Sequence, residues 1–405
     1  YIFGPFFLKN NNYDINIFLK KIRVGLIMEK FVSVTNPKVI ENLKLQISNS
    51  RIIDWASDFN KDAGITYDRL AYILDYWENK FSWEKSEREL NSFNQFYFID
   101  EGIKTHFIHI KSPEKNALPL LLIHGWPGSI FEFFDLIPLL TNPKDHNLLG
   151  CQPFDIVIPS LPNVGFSFFT DQKPMDLVEI SNHFLTLMKN LGYENYFVQG
   201  GDLGSFIASI MSKNDSKSVK GIHLNLLPLP RGLDKMPNNN EEKRYYQKLK
   251  NFLQFESGYQ QLQGTKPFTL AHALNASPVS LCSYISEKFY TWIDHDGDLF
   301  SKINIDKMLA NITLYWITGC IGASFWPYYI RHRSDWPISK DKPILSPMGY
   351  SEFPKEIFSP PLSLASQYYQ NIVMWSSHKS GGHFAAMEKP LELALDINNF
   401  VKKVY

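Results

Sequence analysis

Residues Tyr196-Phe197-Val198-Gln199-Gly200-Gly201-Asp202-Leu203-Gly204-Ser205-Phe206-Ile207 join a short β-prone run to a helical one through a glycine-flanked acid. Residues 196–199 read as a strand, and beyond the turn Leu203, Phe206, Ile207, Ile210 and Met211 fall on one helical face. A strand, a tight turn and a helix therefore meet at Asp202. A nucleophile held on such a strained turn needs small residues on either side, where two backbone segments approach, and Gly200 and Gly204 hold those places. Alone, a Gly-x-Asp-x-Gly stretch is also an ordinary turn, because Gly and Asp are common turn residues. Its surroundings decide.

Working outward, runs of branched and aromatic residues at 118–123, 154–159, 196–199 and 222–226 alternate with helical patterns, which predicts a mostly parallel sheet with crossover helices. The stretch 176–191 is one such crossover. Asp176 can cap it, Glu179 stands three residues later, Gly192 supplies a left-handed exit, and Leu177, Ile180, Phe184, Leu187, Met188 and Leu191 form its buried face. From about 228 to 337 strand signals give way to helical, aromatic sequence, as expected for an inserted cap. Strand signals return at 342–345 and 371–376, and a closing helix begins at Pro390. Ahead of the sheet, residues 67–76 read as helix and 105–110 as strand.

The chain has 405 residues, enough for one large core with an insertion. Its 41 basic and 41 acidic residues cancel, so no polyanionic partner is implied. Aromatics reach 15%, which suits either an aromatic core or a large apolar cavity. Cys151, Cys282 and Cys320 are odd in number and lack metal-ligand spacing, so they read as buried small hydrophobes. The segment 1–27 is interrupted by Lys9 to Asn12 and by Lys20-Lys21; it offers neither the ~18 apolar residues of a spanning helix nor a secretory pattern. Met28 is a candidate natural start, and the expected location is the cytoplasm or the periphery of an internal membrane.

In the α/β-hydrolase fold, which this layout resembles, nucleophile, acid and histidine follow one another along the chain. After Asp202 come the acids Asp341, Glu352 and Glu356, then Gly381-Gly382-His383 in a loop beyond the last strand. Order alone does not separate Glu352 from Glu356. His124-Gly125-Trp126-Pro127-Gly128 directly follows the run 118–123, where this fold places half of its oxyanion hole. The expected donors are the backbone amides of Trp126 and Leu203.

With these parts in order, the sequence resembles the microsomal and juvenile-hormone type epoxide hydrolases from about Phe31 to its end. The resemblance is carried by Tyr76-Trp77 with Phe81-Ser82-Trp83, Leu90-Asn91-Ser92-Phe93, His106 to Ile110, His124 to Ser129, Gly200 to Ser205 and Gly381-Gly382-His383-Phe384-Ala385-Ala386. It implies an α/β-hydrolase fold with a mostly parallel central sheet, helices on both faces, an inserted helical cap and an N-terminal wrapping meander. The implied boundaries are an extension of unknown role at 1–27, the meander at 28–115, the core at 116–227 and 341–405, and the cap at 228–340. It assigns nucleophile, acid and base to Asp202, Glu356 and His383, choosing Glu356 because the acid follows a Phe-Pro pair, here Phe353-Pro354. Two cap tyrosines polarise the epoxide oxygen in the family. They align with Tyr259 and with Tyr328, Tyr329 being one register away. Trp126 and Phe166 are the expected pocket walls. Leu203 stands where the family usually carries Trp, Asn163-Val164 replace a Gly-Tyr pair, the usual Trp-Pro near Arg51 to Asp54 is absent, and the cap is shorter around 228–242. These departures bear on substrate range.

An epoxide is attacked at saturated carbon: a serine would leave an ether, whereas a carboxylate leaves an ester that water can cleave. The implied partners are a small apolar epoxide and water, with no nucleic acid, metal, nucleotide or flavin; membrane contact of 1–27 is left open. A haloalkane or haloacid dehalogenase would share Asp202 and His383 but needs halide donors, and a silent binding protein would not need all of Asp202, Glu356 and His383. Two metal-like patterns fail on geometry. His106 and His109 fall on opposite faces of a strand, and Asp294-His295-Asp296-Gly297-Asp298 lacks the spacing of a calcium loop and reads as a solvated turn.

Overall fold

The computed structural model describes residues 27–54, 63–230 and 237–405. The expected extension 1–27 lies outside them but for Ile27, as does part of the stretch where the cap was expected to be short.

A nine-stranded sheet runs in the order β1 (Ile27–Phe31), β2 (Gln95–Asp100), β3 (Ile103–Ile110), β5 (Phe154–Pro159), β4 (Leu118–Ile123), β6 (Tyr196–Gly200), β7 (Val219–Leu224), β8 (Met348–Glu352) and β9 (Ile372–Ser377). Pairing is antiparallel from β1 to β5 and parallel from β5 through β9. The α/β-hydrolase arrangement follows from this: β4 and β6 are neighbours in the middle, so loops leaving their carboxyl ends converge. Leu120, Leu121, Leu122 and Ile123 are wholly buried, as a strand covered by helices on both faces must be.

The crossover helix spans Leu177–Asn190, with Asp176 and Glu179 closing a reciprocal capping box. Gly192 leaves it at φ 82°. The expected strand at 342–345 is not a strand; Ile344 makes one isolated bridge to Tyr369, and pairing begins at Met348. Pro343 and Pro347 bracket that run without amide donors, and Leu345 is exposed, so pairing there does not extend beyond the Ile344 bridge.

Between β7 and β8 the described residues carry helices, chiefly Asn240–Phe255, Gly258–Thr265, Pro267–Ala276, Pro278–Trp292, Ile305–Thr318 and Trp326–Arg331. The N-terminal helix Tyr67–Asn79 braces them, since buried Trp77 donates its indole N–H to Thr313 Oγ1 at 2.9 Å. Leaving that buried donor unpaired would cost about 1–3 kcal/mol. No single helix among the described residues is long and apolar enough to cross a membrane.

Candidate active site

Asp202 occupies the turn between β6 and helix Asp202–Asn214, with φ of 44°, a left-handed conformation that a non-glycine residue adopts at a cost. The crowding around it is severe. A Cβ at Gly204 would lie 2.0 Å from the Ile123 carbonyl oxygen, and one at Gly200 would lie 2.4 Å from the Gly204 carbonyl. The glycines therefore let the helix start against the ends of β4 and β6, which pushes the Asp202 side chain out at the sheet's carboxyl edge.

Three further loops meet it there. After β4, the Trp126 amide donates to Asp202 Oδ1 at 2.9 Å. That loop is fixed from both sides. His124 accepts the Leu161 amide on Nε2 at 3.1 Å, leaving Nδ1 to donate to the Gly125 carbonyl at 2.9 Å. From the inserted helices, Asn311 Nδ2 donates to the Pro127 carbonyl at 2.8 Å and the Tyr315 hydroxyl to that of Gly128 at 3.0 Å. The Leu203 amide sits in the first turn of its helix, beside Asp202.

After β9, His383 presents Nε2 at 3.5 Å from Asp202 Oδ2 and Nδ1 at 2.7 Å from Glu356 Oε1. Glu356, past the end of β8, is fully buried and also accepts the Ile357 amide at 2.6 Å, while Lys248 Nζ donates to its backbone carbonyl at 2.7 Å. Glu352 points elsewhere, accepting from Trp375 Nε1 and Ser377 Oγ. Burial acts to lower the His383 pKa, but the Glu356 and Asp202 carboxylates outweigh it and hold the imidazole well above its usual value.

The stretch 294–298 is only partly the expected solvated turn. Asp296, Gly297 and Asp298 are exposed, but Asp294 Oδ2 accepts the Gly381 amide at 2.8 Å and its own amide donates to Glu388 Oε2 at 2.9 Å. The His383 amide donates to the Trp292 carbonyl at 2.9 Å, so the histidine loop is seated on the inserted helices.

Aromatic rings pack on Trp126, beside the site. Tyr259 stacks on Trp126 with 5.5 Å between centroids and 9° between planes, and Tyr328 meets the same indole edge-on at 5.7 Å. Tyr259 and Tyr328 are 6.0 Å apart. Tyr329 instead stacks on Trp326 beneath the Arg333 guanidinium. Leu203 and Tyr328 line a second recess that opens toward Gln261, Arg331 and Trp336.

Phe166, expected as a pocket wall, is placed elsewhere. Its ring packs on Phe31 and His106 at 5.1 and 5.2 Å, because the turn Gly165–Ser167 is tied to β3 through Ser167 Oγ and the His106 amide. One residue passed over in sequence is Glu132, which shares a cavity with Asp202, His383, Gln199 and Asn225. Desolvation pushes its carboxyl up to about 8, which favours the neutral acid near pH 7. Its place beside the site comes from the short helical turn Ile130–Phe133 folding back over Gly128, which no sequence spacing announces.

An α/β-hydrolase fold with a carboxylate at its elbow, a histidine at that carboxylate and a backbone donor beside it defines a hydrolase. A model of the epoxide hydrolase N terminus matches residues 28–133, and one of the alpha/beta hydrolase fold matches 119–268. Epoxide hydrolase 1 of Sus scrofa is 36% identical over 91% of this chain and 87% of its own. Juvenile hormone epoxide hydrolase 1 of Ctenocephalides felis is 33% identical over 98% and 88%. The crystal structure of juvenile hormone epoxide hydrolase from the silkworm Bombyx mori superposes with a TM-score of 0.83 at 29% identity, covering 94% of this chain and 95% of that one. The chain belongs to the epoxide hydrolase family of microsomal and juvenile-hormone type.

Proposed function

We propose that the protein converts apolar epoxides to vicinal diols through an ester on Asp202. The observation that carries this reading is the placement of Asp202 between the Trp126 amide on Oδ1 and His383 Nε2 by Oδ2. Asp202 attacks a ring carbon; the C–O bond breaks, and Tyr259 and Tyr328 donate hydrogen bonds to the developing alkoxide, a role suited to a phenol. Once the ester forms, Asp202 is neutral and one of the two charges holding the proton on His383 is gone. His383 then sheds its proton, matching the one the alkoxide takes up, and becomes a base. It takes a proton from water, hydroxide adds to the Asp202 carbonyl, and the amides of Trp126 and Leu203 hold the oxyanion. Collapse releases the diol and restores the carboxylate and the imidazolium.

Glu356 orients His383, and the cavity shared with Glu132, Gln199 and Asn225 holds the hydrolytic water. The segment 228–340 serves as a cap and 28–115 as its brace. The aromatic rings on Trp126 support an apolar substrate, and paired tyrosines support an oxygen leaving group over a halide. The test is a single turnover of an aryl epoxide in oxygen-18 water followed by mass analysis of the Asp202 peptide. Label enters Asp202 if the ester is cleaved at its carbonyl; diol formed with no label there would refute the ester.

A further inference from the structure

Lys288 has no part in the chemistry above, yet it is buried beside it. It lies on helix Pro278–Trp292, four residues after Tyr284 and four before Trp292, a spacing that puts all three on one face. Its side chain is 8% exposed and pairs with Glu287. Nζ lies 4.6 Å from the Tyr259 ring centroid, 5.7 Å from that of Trp292 and 6.0 Å from that of Tyr284. On the other end of the same phenol, Gln260 Nε2 donates to the Tyr259 hydroxyl at 2.7 Å. Burying an ammonium is costly unless something compensates it.

We propose that Lys288 is a positioning residue that acts through Tyr259, strengthening its phenol as the hydrogen-bond donor to the epoxide oxygen. The inference rests on Tyr259 being that donor. As the ring opens, the phenol proton moves toward the alkoxide and the aromatic ring gains negative charge. A cation near the ring and an amide on its oxygen favour this electron-rich form over the neutral phenol, so their effect grows toward the transition state. Glu287, nearer the surface, moderates the field of Lys288. The titratable groups facing Tyr259 are Lys288 with Glu287, Tyr284, Tyr328, and, beyond Trp126 and Trp292, Asp202 and His383. Lys288 forms no bond to substrate and gives up no proton.

The experiment measures the rates of enzyme alkylation and of ester hydrolysis separately, in single turnovers of an aryl epoxide between pH 7 and 11. In Lys288→Met the part of the alkaline limb of the alkylation rate that Tyr259→Phe abolishes moves up by about one pH unit or more. Alkylation at neutral pH falls about 10-fold, while ester hydrolysis is unchanged. Glu287→Gln moves the limb the opposite way, and it reads the sign even if Lys288→Met does not fold. In a Tyr259→Phe background, Lys288→Met has no further effect on alkylation. An unmoved limb, equal slowing of both steps, or an undiminished effect in Tyr259→Phe overturns the proposal. If Tyr259→Phe alone leaves alkylation at full speed, the donor assignment itself fails and this inference falls with it. Slowing by Tyr259→Phe with a silent Lys288→Met sinks only the role of Lys288.

Discussion

The Trp126 amide holds Asp202 by Oδ1 at 2.9 Å, while His383 Nε2 lies 3.5 Å from Oδ2. One amide thus aims the carboxylate and is already placed for the oxyanion that ester cleavage would create. The approach to the histidine is the longer of the two, and under the proposed mechanism that leaves Oδ2 the freer oxygen to turn toward a substrate carbon.

The first prediction separates the two half-reactions. His383→Gln should accumulate ester, seen as an enzyme mass increase equal to the substrate, with diol formation reduced by roughly 10⁴-fold. Asp202→Ala should show no mass increase and no diol. Normal turnover by Asp202→Ala would remove it from the mechanism.

Glu356→Gln keeps the shape of the buried side chain but removes the charge opposite His383 Nδ1. Ester hydrolysis should slow by about 100-fold, with alkylation less affected. Glu352→Gln, whose side chain serves Trp375 and Ser377, should leave both rates within about twofold. The reverse pattern would reassign the acid.

Tyr328→Phe should slow alkylation by roughly 100-fold, since it removes a donor to developing negative charge. Tyr329→Phe should not, because that ring stacks on Trp326 away from Trp126. Pre-steady-state alkylation rates of the two variants decide between the adjacent registers.

Gly204→Ala places a methyl group 2.0 Å from a backbone oxygen of β4, where no flexible side chain can yield. Overpacking of this kind costs about 1–3 kcal/mol, so the melting temperature should fall by several degrees and activity should fall further, because the elbow itself must shift. An active, undiminished Gly204→Ala enzyme would show that the elbow tolerates a wider gap.

Four buried imidazoles should lower the stability of the fold in acid. Burial pushes His106 down to about 3 and His183 and His223 to about 4; His124 reaches about 4 as well, its bond to the Gly125 carbonyl opposing only part of the burial effect. Below an unfolded value of about 6.5 the unfolded chain binds protons that the folded one refuses, so stability is full above that pH and falls as pH drops toward 4. His383 has the opposite sign, since its raised pKa gives stability below about 6.5 that is lost as pH rises. Melting temperature followed from pH 7 to 4.5 should decline less steeply in His183→Gln than in the unaltered protein. Parallel curves would show that His183 carries no such linkage.

Local order was legible because it depends on neighbours in the chain. The runs at Leu118–Ile123 and Phe154–Pro159, the Asp176 cap and the strand-turn-helix at Asp202 need only propensity, capping chemistry and glycine placement, all written within a few residues. The chain order of the fold then placed an acid and His383 after Asp202, and the resemblance chose Glu356 over Glu352. β1 and β2 were not read as strands because, at the antiparallel edge, their pairing is made with partners distant in sequence or across a short turn whose outcome the local pattern did not settle.

What the tertiary structure alone decided is which side chains face Asp202. Glu352 and Glu356 are four residues apart, yet only Glu356 reaches His383, because the chain leaves β8 between them. Tyr328 and Tyr329 differ by one position, and the direction of helix Trp326–Arg331 sends one ring to Trp126 and the other to Trp326. Phe166 is drawn to β3 by the hydrogen bond of its neighbour Ser167, while Lys288 reaches Tyr259 and Glu132 reaches the Asp202 cavity through packing between segments far apart in the chain. A sequence specifies its own turns and faces; distances across a cleft are set by how those faces close on one another, a property of the packed whole.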